Sequence, residues 1–218
     1  MKTRVATSLI ALLMISGANA GLVNGGFELP GLPVNGITIT DASNVPGWST
    51  TASDNKIEIW STAFNGVTAY QGKQFAELNA NQVSTLYQNA SGIAAGSLVG
   101  YQFAHRGRAG TDVMRFQLTD LGLDGIFGTG DDTVLFSTTA TDGNTAWGFY
   151  SGAGIVALGN TVRFSFISVS AAGGATVGNF LDAADFGIGV GNVPEPGSVA
   201  LVGLALAALG ASLRRKAA

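Results

Sequence analysis

The sequence predicts an all-β protein, a single β-sandwich of the jelly-roll kind. Three observations carry this: several segments alternate with a period of two, none sustains a helical period, and turn-forming clusters separate them. Val99, Tyr101 and Phe103 alternate with Gly100, Gln102 and Ala104. Met114, Phe116 and Leu118 alternate with Arg115 and Gln117, and Val162, Phe164 and Phe166 with Arg163 and Ser165. Residues 57–60, 74–79, 133–137 and 186–190 are further expected strands. Between strands, the clusters at 107–112, 142–144 and 173–174 supply the Gly, Asn and Asp residues that turns need. Composition bounds the rest. With no cysteine the chain has neither a disulfide framework nor a thiolate metal site, and 46% hydrophobic residues suffice for a packed core. No internal repeat or linker divides the body, so residues 21–192 read as one domain between a signal helix and a C-terminal hydrophobic helix.

Both ends of the chain read as sorting signals. Lys2 and Arg4 precede an apolar run from Val5 to Ile15, and Ala18-Asn19-Ala20 has the small-residue spacing of a cleavage site, so residues 1–20 form a secretory signal peptide. A retained anchor is the alternative, but the run is too short for one. At the other end, residues 193–218 contain Pro194-Glu195-Pro196, an apolar stretch from Val199 to Leu213, and Arg214-Arg215-Lys216. As a helix the stretch covers roughly 23 to 26 Å, somewhat less than a hydrocarbon core. The positive-inside rule holds its basic end in the cytoplasm, so the expectation is a transmembrane helix in the inner membrane with the body outside. A plain membrane anchor is the simpler alternative.

The order Pro-Glu-Pro, hydrophobic helix, basic tail resembles the PEP-CTERM sorting signal of Gram-negative bacteria. The resemblance implies that an exosortase recognises and cuts the segment, and that the protein serves exopolysaccharide or biofilm at the cell surface or in the extracellular matrix. Pro194 and Pro196 cannot continue a helix, which keeps the motif extended for such an enzyme.

Charge excludes one class of partner. Five of the eleven basic residues lie in the terminal segments, leaving six against thirteen acidic residues in 21–193, a net charge of −7. Phosphate-backbone binding needs clustered positive charge, so nucleic acid is not an expected partner.

A second resemblance covers most of residues 22–190. Leu22-Val23-Asn24-Gly25-Gly26-Phe27-Glu28 followed by Pro46-Gly47-Trp48 looks like the opening of secreted galactose-binding-like domains, including carbohydrate-binding modules. Residues 72–79, Leu86-Tyr87-Gln88 and residues 178–182 continue it in order. The resemblance implies a noncatalytic fold, extracellular polysaccharide as the partner, and a structural Ca²⁺ near Glu28 and Asp182. Ala183 and Ala184 stand where that closing motif often has polar residues.

Other candidates come from the residues alone. Asp120, Asp124, Asp131 and Asp132 lie within thirteen glycine-rich residues, a composition that suits a hard cation such as Ca²⁺, although the spacing is not that of an EF-hand. A solvated hairpin loop is the alternative. His105, Arg106 and Arg108 could clamp an acidic sugar through guanidinium contacts or form an internal salt-bridged loop. Among Trp48, Trp60, Tyr70, Tyr87, Trp147 and Tyr150, which could stack on a sugar or fill the core, Trp60 and Trp147 are the expected surface pair: Trp60 is out of phase with Ile57 and Ile59, and Trp147 follows a turn. Glu58 and Glu77 would be the carboxylates of a glycosidase, but their separation is not readable and the resemblance places Glu77 in a noncatalytic strand. No nucleophile elbow or phosphate-binding loop is present, so the chain is not expected to be an enzyme. The leading reading is an exported glycan-associated binding module. The rival is a structural matrix protein or adhesin with protein contacts and no sugar.

Overall fold

The computed structural model describes residues 21–159, 161–188 and 190. Eleven strands form two antiparallel sheets. They are β1 (Ile37–Asp41), β2 (Ser49–Thr50), β3 (Lys56–Ser61), β4 (Gln74–Glu77), β5 (Thr85–Ser91), β6 (Leu98–Arg106), β7 (Asp112–Asp120), β8 (Thr133–Asp142), β9 (Gly148–Val156), β10 (Thr161–Ser170) and β11 (Phe180–Ile188). One sheet has the order β1-β3-β4-β11-β6-β9 and the other β2-β5-β10-β7-β8. From β4 to β11 the chain crosses between the sheets at every connection but β7–β8, the winding of a jelly roll.

Alternation explains the packing. Tyr101 and Phe103 from β6, Phe116 from β7, Phe164 and Phe166 from β10 and Phe186 from β11 point between the sheets and make the main core. Trp48 ties the N-terminal segment to it. Its ring stacks on Phe27 at 4.7 Å, and its Nε1 donates to the Asn24 carbonyl at 2.9 Å.

Some expected strands differ in extent. β11 begins at Phe180, well before the expected 186–190, because Asp182 to Asp185 contains a bulge, with Ala183 at φ +50°, that breaks the period of two. β9 carries three glycines among partly buried and exposed residues and gives no alternating hydrophobic signal. β1 forms the exposed edge of the larger sheet, where only one face has a neighbour to bury.

The expected flanking helices, the signal peptide and the sorting residues Pro194, Glu195, Pro196, Arg214, Arg215 and Lys216 lie outside the described residues. The structure does not show the expected transmembrane helix. Among the described residues no helix is long and apolar enough to cross a membrane, and the helical elements there are two three-residue 3₁₀ turns. The run from Val199 to Leu213 has fifteen residues, fewer than the ~20 a span needs.

Candidate functional site

The larger sheet buries residues on both faces. On its outer face Trp60, Phe75 and Phe180 form a second cluster with Val67, covered by Phe64, Ala69 and Trp147. Trp60 packs on Phe64 at 4.6 Å and Phe180 at 4.9 Å and is 1% exposed. The strap of residues 62–73 between β3 and β4 closes this cluster. This corrects the expectation that Trp60 is a surface residue: out of phase with Ile57 and Ile59, it faces away from the main core but into a second one.

Trp147 roofs the same cluster. It meets Phe75 edge-on at 5.4 Å, and its Nε1 donates to the Thr68 carbonyl of the strap at 2.8 Å. Above it two rings reach solvent. Tyr70 of the strap and Phe149 of β9 are 44% and 49% exposed, and they stack with centroids 5.7 Å apart and planes 8° from parallel. Tyr70 is also 6.3 Å from Trp147. Phe149 was not foreseen, although Trp147 and Phe149 alternate about Gly148 and so share a strand face. Arg106 stands two residues along β6 from Ala104, the register partner of Phe149, and its guanidinium donates to the Asn144 carbonyl. Its Nε is buried with no hydrogen-bond partner among the described residues. Tyr70, Trp147 and Phe149 therefore make an open aromatic surface with a cation at its margin.

The remaining basic cluster is internal. Arg108 Nη1 donates to both Glu77 oxygens, at 2.9 and 2.8 Å, and its guanidinium lies 4.7 Å from the Trp60 ring centre. Glu77 faces Glu58 directly across β3 and β4, the carboxylates being 0% and 3% exposed. Trp60 Nε1 donates to Glu58 at 2.6 Å, and the Gly178 amide donates to Glu77. Burial and then the Glu58 charge push Glu77 up to about 8, and burial raises Glu58 as well. Two carboxyls facing one guanidinium thus retain a proton well above the ordinary carboxylate range.

His105 is fully buried. Nδ1 lies 2.8 Å from Asp142 Oδ2 and Nε2 2.9 Å from Asn179 Oδ1, while Tyr150 donates to the same Asp142 oxygen at 2.8 Å. Both ring nitrogens are engaged, so neither His105 nor Arg108 is free to clamp a sugar. Asp112, also buried, accepts from the amides of Arg108, Ala172 and Asn179 and fixes the loops at this end.

The acidic loop closes on itself. Asp120 accepts from the amides of Gly122, Leu158 and Gly159, Asp124 from Ile126, Asp131 from Leu123 and Asp132 from Gly128. Among the described residues no group of three or more His, Cys, Asp or Glu is placed to hold a metal ion. Glu28 and Asp182 do come together around Gly26. Glu28 Oε1 accepts from the amides of Lys73 and Gln74 at 2.6 and 3.0 Å, and Asp182 Oδ2 from that of Gln71 at 2.9 Å. Burial, with a smaller contribution from the Glu28 charge, pushes Asp182 up to about 7. Neither carboxylate has an ion-pair partner among the described residues. A cation would relieve that repulsion, and its further oxygens would have to be backbone carbonyls or water.

Residues 192–216 match the family model for the PEP-CTERM protein-sorting motif, so the chain carries that motif. No curated protein matches the chain. Solved structures similar to it include TmCBM61 in complex with β-1,4-galactotriose, at 16% identity over 76% of this chain and 95% of that one, with a TM-score of 0.47. Another is the CBM22-1 xylan-binding domain of Xyn10C from Paenibacillus barcinonensis, at 14% identity over 74% and 96%, with a TM-score of 0.48. Similarity at this level carries nothing about a ligand, which has to be read from this chain's own side chains.

Proposed function

We propose that this protein is an exported, noncatalytic binding module of the cell surface or extracellular matrix, processed at its sorting motif by an exosortase and associated with exopolysaccharide. The observation that carries the reading is the aromatic surface that exposed Tyr70 and Phe149 form over half-buried Trp147. Rings held in fixed orientation on a packed cluster can stack on the apolar faces of sugar rings at little entropic cost. The noncatalytic reading rests on the burial of Glu58 and Glu77, neither of which can reach a glycosidic bond.

Retention on the producer's own exopolysaccharide in an affinity gel tests this. Tyr70→Ala and Phe149→Ala are each expected to weaken binding by about tenfold, the size of one lost ring contact of 1–1.5 kcal/mol. Trp147→Ala is expected to weaken it further by releasing the strap. Retention unchanged in all three variants would rule out this surface.

Calcium belongs to the proposal at Glu28 and Asp182, where it would pin the strap that carries Tyr70, and not at the acidic loop. The melting temperature is expected to rise with millimolar Ca²⁺ and return with chelator, while Asp182→Asn abolishes the response. A response that survives Asp182→Asn would move the cation elsewhere. The rival reading, a matrix protein joined through protein contacts, is favoured by one observation: edge strand β1 presents Ile37 and Ile39 to solvent.

A further inference from the structure

Of the six basic residues in the body, five are either partnered by the fold or left in water. Lys56 pairs with Asp41, Arg108 with Glu77, and the guanidinium of Arg163 lies 3.9 and 4.2 Å from the ring centres of Tyr87 and Phe127. Lys73 and Arg115 are exposed. Arg106 belongs to neither group. It is half-buried, yet among the described residues it has no carboxylate within ion-pair distance and no ring beneath its guanidinium. The adjoining turn begins with a carboxylate, but Asp142 is engaged by His105 and Tyr150.

A cation held partly out of water without a countercharge is unfavourable, and burial accordingly pulls the Arg106 guanidinium below the usual arginine pKa. Within the protein it makes one hydrogen bond, from Nη2 to the Asn144 carbonyl. Nε is buried and unpartnered, whereas Nη1, also without a partner among the described residues, is not buried. The hydrogens open to a ligand are therefore those at the outer end of the fork. A carboxylate matches that end with two parallel hydrogen bonds and supplies the missing charge.

The register of the sheet joins this cation to the aromatic surface. Arg106 pairs with Phe180 of the outer cluster, so both side chains leave the same face of the sheet. On the other side His105 pairs with Gly148 and Ala104 with Phe149, which puts Arg106 level with Trp147 and two residues, roughly 7 Å of strand, beyond Phe149. A pyranose stacked on the exposed rings of Tyr70 or Phe149 presents its edge toward Arg106. In a uronate, that edge carries a carboxylate at C5.

We propose that Arg106 is the specificity-determining residue of the aromatic surface and that the polymer selected is acidic, a uronate carboxylate taking the Nη1 and Nη2 hydrogens while its ring stacks on Tyr70 or Phe149. This rests on the glycan-binding reading and adds the charge of the polymer. Six basic against thirteen acidic residues leave the body at −7, so general attraction does not hold a polyanion to it. Selection comes from a local contact, one guanidinium to one carboxylate.

Two affinity gels test the assignment, one holding the producer's own exopolysaccharide and the other the same polymer after its carboxyl groups have been reduced to primary alcohols. Wild-type protein is expected to be retained about tenfold more strongly by the native polymer, the size of one charged hydrogen-bond contact. Arg106→Gln is expected to lose that difference while matching wild type on the reduced polymer, which also shows that the variant folds. Arg106→Lys keeps the charge without the fork and is expected to keep part of the difference. Tyr70→Ala is expected to weaken retention on both gels alike, and Arg115→Gln, which removes an exposed cation from the other sheet, to change neither. Equal retention of wild type on the two polymers would overturn the acidic preference and leave the aromatic surface standing. Loss on both polymers in Arg106→Gln, or an equal loss in Arg115→Gln, would overturn the role given to Arg106. Retention of wild type on neither gel would overturn the glycan-binding reading and this assignment with it.

Discussion

Unfolding experiments at pH 5, 6.5 and 8 are expected to show stability falling as pH rises, by about 1.4 kcal/mol per pH unit for each proton concerned. The cause is the buried pair of Glu58 and Glu77. Glu77 is raised from 4.5 to about 8, so between those values the folded protein keeps a proton that the unfolded chain has released. Raising the pH therefore favours the unfolded chain. The contribution is complete below pH 4.5, declines through the window and is gone above about 8. Asp182, raised to about 7, acts in the same direction over a lower window. Glu77→Gln is expected to flatten the profile, since the amide replaces the protonated acid without titrating. Arg108→Met is expected to cost about 3–5 kcal/mol at pH 8 by leaving buried carboxylates without their cation. A profile that is level from pH 5 to 8 in the wild-type protein would show that the pair holds no extra proton.

Trp60→Ala is expected to destabilise the protein by about 3–5 kcal/mol, as truncation of a large buried aromatic does. It removes the packing of Phe64, Phe75 and Phe180, the ring beneath Arg108, and the donor to Glu58. Tyr70→Ala, at an exposed position, is expected to stay within about 1 kcal/mol of wild type while weakening polysaccharide retention. The pair of measurements separates the inner cluster from the surface above it. Equal stability losses at Trp60 and Tyr70 would mean that the strap, and not the ring, holds the cluster together.

Much of the fold was legible because burial in a sandwich leaves a period-two trace wherever one sheet face is covered. β6, β7 and β10 carry that trace. β9 does not, because its residues lie at a sheet edge with glycines among them, and the start of β11 is hidden by its bulge. The candidate site was legible only in part. Trp147 was foreseen as a surface residue and Tyr70 as one of several rings, yet nothing local joins Tyr70 to Phe149, seventy-nine positions away. Glu58 and Glu77 stood out as carboxylates, but their separation depends on the register of β3 against β4.

By itself the sequence determined the all-β architecture, the C-terminal sorting motif and the acidity of the body, since these follow from composition and from short-range order. Only the tertiary structure decided which tryptophan is covered, which carboxylates meet and which rings reach solvent. Alternation states that residues share a face of a strand. It does not state whether that face looks into a core, under a strap or out to water, and here the strap of residues 62–73 lays a second core on the face that a simple sandwich would leave exposed.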